Sequence, residues 1–129
     1  MIIQIVPESD IPIYTQLTNQ IIEGIARGNL HPGDSLPSVR TFAADLGVNM
    51  HTVNKSYHEL ERKGIIEIVP KSGAVICTPN PLNLKTIHYN RLSNEFKPII
   101  AEALVLGMEK EQIQELLLTI VEDIKGNSS

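Results

Sequence analysis

The sequence is poor in cysteine, in aromatic side chains and in basic charge. Cys77 is the single cysteine of 129 residues. No disulfide can close within the chain, which suits a reducing cytoplasm. Tryptophan is absent, and the aromatics are Tyr14, Phe42, Tyr57, Tyr89 and Phe96. No apolar run approaches the roughly 20 residues that span a bilayer. The start, MIIQIVPESD, has neither the basic region nor the apolar core of a signal peptide. These gaps favour a soluble, cytoplasmic chain with no membrane partner. There is no P-loop and no dinucleotide fingerprint, so nothing points to a nucleotide cofactor. The length excludes an α/β barrel and a doubly wound dehydrogenase. Lys and Arg total 11 against 15 Asp and Glu, a formal charge of −4. That acidity argues at first against a nucleic-acid partner.

What is present reads as an ordered domain with an extension. Apolar residues make up 42% and charged residues 20%, which argues against a disordered chain. Thr78-Pro79-Asn80-Pro81 interrupts any regular element. The boundary is placed there, giving a unit over 1–80 and a tail over 81–129.

Residues 2–6 form a short apolar stretch that reads as a possible strand. Pro12 suits a first helical turn. Ile13, Leu17, Ile21 and Ile25 recur every four residues and form one apolar helix face. Gly28 and Pro32-Gly33 end that helix. A second helix starts after Pro37, with Ser38 as cap or first-turn residue. It turns Val39, Phe42, Ala43 and Leu46 inward and ends at Gly47. Asn49 can cap a third helix that runs to about Lys63 and stops at Gly64. Residues 65–69 read as a strand, 70–73 as a turn and 74–77 as a second strand. Three helices followed by a hairpin is the order of a winged helix-turn-helix, so the fold class is mainly α with a small β wing.

The third helix carries the functional signal. At about 100° per residue, Val53, Tyr57 and Leu60 fall on one buried stripe. The opposite face holds His51, Lys55, His58 and Arg62, with Asn54 to one side. No acidic residue occurs over 46–58. An Asn side chain matches an adenine edge, and Lys reaches guanine or a phosphate. A solvated helix face would look the same, and this helix alone does not decide between the two. The turn Asp45-Leu46-Gly47-Val48 favours DNA. It sets the crossing that lays one helix on the backbone and the next in the major groove.

These residues resemble the GntR family of bacterial transcription regulators. The likeness begins at Pro12-Ile13-Tyr14 with Gln16-Leu17. It continues through residues 28–40, which end in Leu36-Pro37-Ser38-Val39-Arg40. It then covers Leu46-Gly47-Val48 and residues 49–57, with Thr52-Val53-Asn54-Lys55-Ser56-Tyr57, and closes on residues 60–64. About residues 12–77 are involved. The resemblance implies that Arg40 contacts DNA, since a guanidinium clamps phosphate or reads guanine. The other reading of Arg40 is an ion pair with Asp45 or Asp34. Ser38 either bonds a phosphate or only caps its helix. Thr41, Asn49, His51, Thr52, Asn54, Lys55 and His58 complete the implied DNA face. Lys71, Ser72 and Gly73 form the implied wing contact. Met50 stands where many members carry Arg, and the basic residues usual in the wing are absent.

In the tail, Leu84, Ile87, Leu92, Phe96, Ile99 and Ala103 follow rough helical spacing, with Pro98 predicting a kink or break. Ile113, Leu116, Leu117, Ile120, Val121 and Ile124 form a second amphipathic face. Two such helices cannot bury their apolar faces within 49 residues and need the first unit or a second chain. A tail of this size resembles the short YtrA-type group of the family, in which it mainly dimerises. The implied dimer interface is Ile99, Ala103, Leu106, Ile113, Leu116, Leu117, Ile120, Val121 and Ile124. The implied function is a repressor binding a palindromic double-stranded DNA operator as a homodimer. The group often controls transporter operons, and an effector of unknown identity is compatible with it.

Two other classes compete with this reading. An enzyme or metal protein needs clustered acids, bases or ligands. His51 and His58 share a helix face, but no carboxylate or cysteine joins them at ligand spacing. Cys77 has no basic neighbour in sequence to activate it. Neither a catalytic nor a metal site is expected. A winged-helix protein-interaction module would explain the acidity and the weak wing. Salt-dependent DNA binding separates it from the regulator. The acidity does not come from the tail alone: residues 1–80 hold six Lys or Arg and eight Asp or Glu, and residues 81–129 hold five and seven.

Overall fold

The computed structural model describes residues 2–80, 82 and 87–126. Leu84, placed above on a tail helix face, lies outside the described residues. The chain divides into two compact units, Met1–Thr78 and Pro79–Ser129.

In the first unit, α1 (Ile13–Ala26), α2 (Val39–Leu46) and α3 (Met50–Arg62) surround a small sheet of β1 (Ser35–Leu36), β2 (Ile66–Val69) and β3 (Gly73–Ile76). The sheet is antiparallel in the order β1-β3-β2. Leu36 pairs with Ala74, and Ile66 with Ile76. Leu17 and Ile21 of α1 are fully buried against Val53, Tyr57 and Leu60 of α3, and Ile66, Ala74 and Ile76 close the core from the sheet. The four-residue apolar period of α1 and the stripe on α3 therefore meet each other, as their spacing requires.

The ends of the elements follow their sequences. Ser38 caps α2, its hydroxyl accepting from the Thr41 amide at 3.2 Å. Asn49 caps α3, its carbonyl accepting from the His51 amide at 2.7 Å. Gly47 takes φ 69° after α2, a left-handed stop that lets the chain turn into Asn49 within two residues.

Three details differ from the sequence reading. Residues 2–6 form no strand. Two glutamines of α1 hold them instead. The Gln20 side-chain amide accepts from Gln4 N at 2.9 Å and donates to Gln4 O at 2.7 Å. The Gln16 amide does the same at Val6, at 2.8 and 3.0 Å, and also donates to Ile11 O. A side-chain amide carries the same donor and acceptor as a backbone unit, so it can stand in for a neighbouring strand. The sheet has a third strand, β1, which is too short to show a period between Asp34 and Pro37. Its pairing is continued by Gly33 N donating to Ile76 O at 2.8 Å and Ile76 N to Asp34 O at 2.9 Å. Gly73 is a buried first residue of β3 and not part of the turn tip.

In the second unit, α4 (Tyr89–Val105) and α5 (Lys110–Gly126) follow one another across a short connection that contains Gly107, which has φ 98°. Of the kink or break expected at Pro98, there is no break: α4 runs through it. Proline there removes one backbone donor of the helix, the bond to the Asn94 carbonyl, and the remaining turns carry it. Among the described residues α4 has no buried side chain, and α5 buries Ile113. No helix among the described residues is long and apolar enough to cross a membrane.

Candidate nucleic-acid interface

Three buried contacts fix α3 against its neighbours. Ser56 Oγ lies 2.8 Å from Thr18 Oγ1, and Thr18 donates its proton to the Tyr14 carbonyl at 2.7 Å. Thr18 therefore has only lone pairs left for Ser56, so Ser56 donates and both buried hydroxyls are satisfied. Tyr57 Oη donates to the Pro37 carbonyl at 2.6 Å. That bond ties the middle of α3 to the residue just before the α2 cap. Burial pushes the Tyr57 phenol well above its ordinary range, so it is a donor throughout neutral pH. The ring also meets Phe42 of α2 with centroids 6.2 Å apart.

This scaffold presents one exposed surface. Arg40 and Thr41 lie in the first turn of α2, and Asn49, His51, Asn54, Lys55 and His58 along the outer side of α3, all exposed. Thr52 is half-buried. Val39, Asn49, Met50, His51 and Asn54 line an open concavity between the starts of α2 and α3. Arg40 makes no ion pair among the described residues. Asp34 instead accepts from the His31 amide at 2.9 Å. His58 Nδ1 lies 2.8 Å from the Asn54 carbonyl. A carbonyl only accepts, so Nδ1 carries the proton and Nε2 faces outward as an acceptor in the neutral ring.

Asn54, expected to one side of the Lys55 face, and Lys55 point to different flanks of α3. Asn54 lines the concavity on the α2 side. Lys55 turns the other way, its Nζ 4.1 Å from the centroid of the Tyr14 ring on α1. Tyr14 was absent from the expected contact set; nothing in the spacing of either helix places a ring of α1 beside a lysine of α3. Ser38 has its hydroxyl engaged by Thr41, donating to Thr41 Oγ1 at 3.0 Å besides capping.

At the wing, Lys71 and Ser72 are exposed at the tip. Ser72 N donates to Val69 O at 3.0 Å, and Lys71 takes φ 68°, with Pro70 ahead of it. This is the turn that favours Pro then Gly, filled here by Pro then Lys. Gly73 does not belong to the contact surface. A Cβ there would stand 2.1 Å from the Leu36 carbonyl, so glycine is required by the close approach of β1.

Other groups are set aside from chemistry by their surroundings. Burial and then the Glu67 and Glu61 carboxylates push the Cys77 thiol up, which makes it a poor nucleophile. Glu61 accepts from Ile68 N at 2.9 Å, satisfying an outward donor of the edge strand β2. Among the described residues no group of three or more His, Cys, Asp or Glu is placed to hold a metal ion.

In the second unit, Ile113 is 8% exposed within the single chain, so it is already covered. Ile99 and Leu106 are 65% and 75% exposed. Leu116, Leu117, Ile120 and Val121 are also open, and Ala103 and Ile124 are half-buried.

Residues 13–76 match the model of the family "Bacterial regulatory proteins, gntR family". The chain is 39% identical over 124 residues to the HTH-type transcriptional repressor YtrA of Bacillus subtilis, covering 96% of this chain and 95% of the relative. Among solved structures it resembles a protein described as a transcriptional antiterminator from Listeria monocytogenes. That match has TM-score 0.80 and 32% identity, over 96% of this chain and 92% of the other. It also resembles YtrA from Sulfolobus acidocaldarius, a GntR-family transcription factor, with TM-score 0.57 and 49% identity, over 72% of this chain and 99% of that one. The likeness to the Bacillus repressor extends through the helical tail as well as the winged unit. The chain belongs to the gntR family of bacterial regulatory proteins, in its short YtrA-type form.

Proposed function

We propose that this protein is a cytoplasmic, sequence-specific transcriptional repressor that binds a roughly palindromic operator as a homodimer. Residues 1–80 act as the DNA-binding domain and residues 81–129 as the dimerisation tail. The observation that carries the reading is the exposed, acid-free start of α3, held by the Tyr57 and Ser56 contacts, together with an exposed Arg40 at the start of α2 that makes no ion pair among the described residues. In the complex α3 enters the major groove, where Asn49, His51 and Asn54 face base edges. Arg40, Thr41 and the Lys71–Ser72 tip track the backbone. Two such helices address faces about 34 Å apart, one turn of duplex. The open aliphatic side chains of α4 and α5 supply the self-complementary patch that a two-fold dimer needs. Names of relatives that are repressors support repression. Control of a transporter operon and relief by a small-molecule effector are the further expectations from its group, and no catalysis is proposed.

The test is binding of the purified protein to duplexes from its own promoter region across a salt series. The expected result is affinity falling steeply with salt, selectivity for one symmetric site, and loss of at least ten-fold in Arg40→Ala with an unchanged melting temperature. Salt-independent or absent binding would overturn the regulator reading.

A further inference from the structure

The position of Lys55 separates the two roles its side chain could play, and it does so through a residue outside the DNA face. Asn54 and Lys55 are adjacent in sequence, hence about 100° apart around α3. Asn54 opens onto the concavity between α2 and α3. Lys55 leans to the opposite flank, with its ammonium 4.1 Å from the Tyr14 ring centroid. Tyr14 is in the first turn of α1, and α1 is locked to α3 by the Thr18–Ser56 bond at 2.8 Å. The ring cannot follow Lys55 into the centre of a groove. A cation over a ring face uses one side of the ammonium and leaves its remaining protons for an outside acceptor. On a duplex, the acceptor that meets the edge of a groove-bound helix is the phosphate backbone, whereas bases face its centre.

We propose that Tyr14 is a positioning residue for DNA binding: its ring pre-orders the Lys55 ammonium on the α1 flank of α3, so that Lys55 clamps a phosphate and does not read sequence. The proposal rests on the DNA-binding reading above. Its energetic basis is preorganisation. A free lysine loses rotamer freedom when it is immobilised at an interface, and a lysine already held over a ring has lost much of it beforehand. The ring holds the cation by its quadrupole, so any aromatic ring of the same shape serves and an aliphatic side chain does not.

The experiment compares the wild type with Tyr14→Phe, Tyr14→Leu and Lys55→Gln, all as full chains. Binding is measured to the operator, to a panel of single-base operator variants, and to an unrelated duplex, each over a salt series. Lys55→Gln is expected to weaken all duplexes by the same factor and to lower the slope of log affinity against log salt by about 0.9 for each Lys55 engaged. Tyr14→Leu is expected to weaken binding about two- to five-fold per half-site with the base preference intact, and Tyr14→Phe to match the wild type. In the free protein, the Lys55 ε-methylene protons should be shifted upfield by the ring in wild type and Tyr14→Phe, and return to ordinary values in Tyr14→Leu. That shift is read on samples whose amide spectra confirm the fold, so a misfolded variant is not mistaken for a positive result.

A Lys55→Gln variant that loses preference at one base pair with an unchanged salt slope would overturn the phosphate assignment. A Tyr14→Leu variant with wild-type affinity and salt slope would overturn the positioning role while leaving the regulator reading intact. A wild type that binds no duplex in a salt-dependent way would overturn both together.

Discussion

Removing one oxygen atom from Tyr57 tests how the recognition helix is held. In Tyr57→Phe the ring stays where it is, fully buried against Phe42, so no cavity opens. What is lost is the 2.6 Å bond to the Pro37 carbonyl. A hydrogen bond contributes about 0.5–1.5 kcal/mol net, and a buried group left without a partner costs about 1–3 kcal/mol. The bond is part-buried and the Pro37 carbonyl lies close to the buried Gly73, so the cost falls where the two ranges meet. The expected loss is therefore about 1 kcal/mol, or about 4–8 °C in melting temperature for a domain of this size. Urea unfolding followed by far-UV circular dichroism measures it, since the chain has no tryptophan to report by fluorescence. The same variant has a signature in alkali. The folded phenol sits above the unfolded value of about 10, so below that pH both states are neutral and stability is full. As pH rises past about 10 the unfolded tyrosine ionises first, and the wild type loses stability. Tyr57→Phe lacks this component, so the gap between the two proteins should narrow on going to alkaline pH. A variant equal to the wild type at pH 7, or a gap that widens in alkali, would refute the bond as a holding contact.

The remaining predictions concern other joints of the molecule. Gly73→Ala should cost about 3 kcal/mol or more, because the new Cβ meets the Leu36 carbonyl and φ is 108°; a wild-type urea midpoint would contradict the close approach. Gln20→Ala should release the N-terminal strap, raising hydrogen exchange at the Gln4 amide at least ten-fold while core amides of α3 stay protected. Leu117→Asp or Ile120→Asp should convert the proposed dimer to monomer in sedimentation, because a carboxylate is costly to bury in an apolar interface; intact dimers of both would remove α5 from the proposed interface.

Much of this fold was legible because its signals are local. Caps and stops act over two or three residues, and Ser38, Asn49 and Gly47 each sit where their chemistry requires. The apolar periods of α1 and α3 were equally plain, since one stripe needs another. What was missed depends on partners distant in sequence. β1 exists because β3, nearly 40 residues away, supplies its bonds. The N-terminal stretch looked like a strand because it is short and apolar, but its partners are the Gln16 and Gln20 amides, and side chains do not announce such pairing. Gly73 read as a turn glycine, whereas its need for a missing Cβ comes from Leu36.

Part of the acidity is explained by where four of the first unit's eight carboxylates are used. In the first unit Glu59 pairs with Arg62, Glu61 caps the Ile68 amide, Asp34 caps the His31 amide, and Glu23 pairs with Arg27 at 2.8 Å. Each is bound to a local partner off the outer start of α3, and fields between exposed charges fade over about 8–10 Å at ordinary ionic strength. A phosphate approaching Arg40 meets an acid-free helix start whatever the summed charge says. The sum still has a consequence. With few cations in the winged unit, one copy holds few phosphates, and non-specific affinity stays low. Two copies on one operator double the phosphate contacts without raising the charge of either. On the proposed reading, low charge and an open aliphatic tail are thus complementary: the first would make a single winged unit a weak binder, and the second would supply the pairing that such a unit requires.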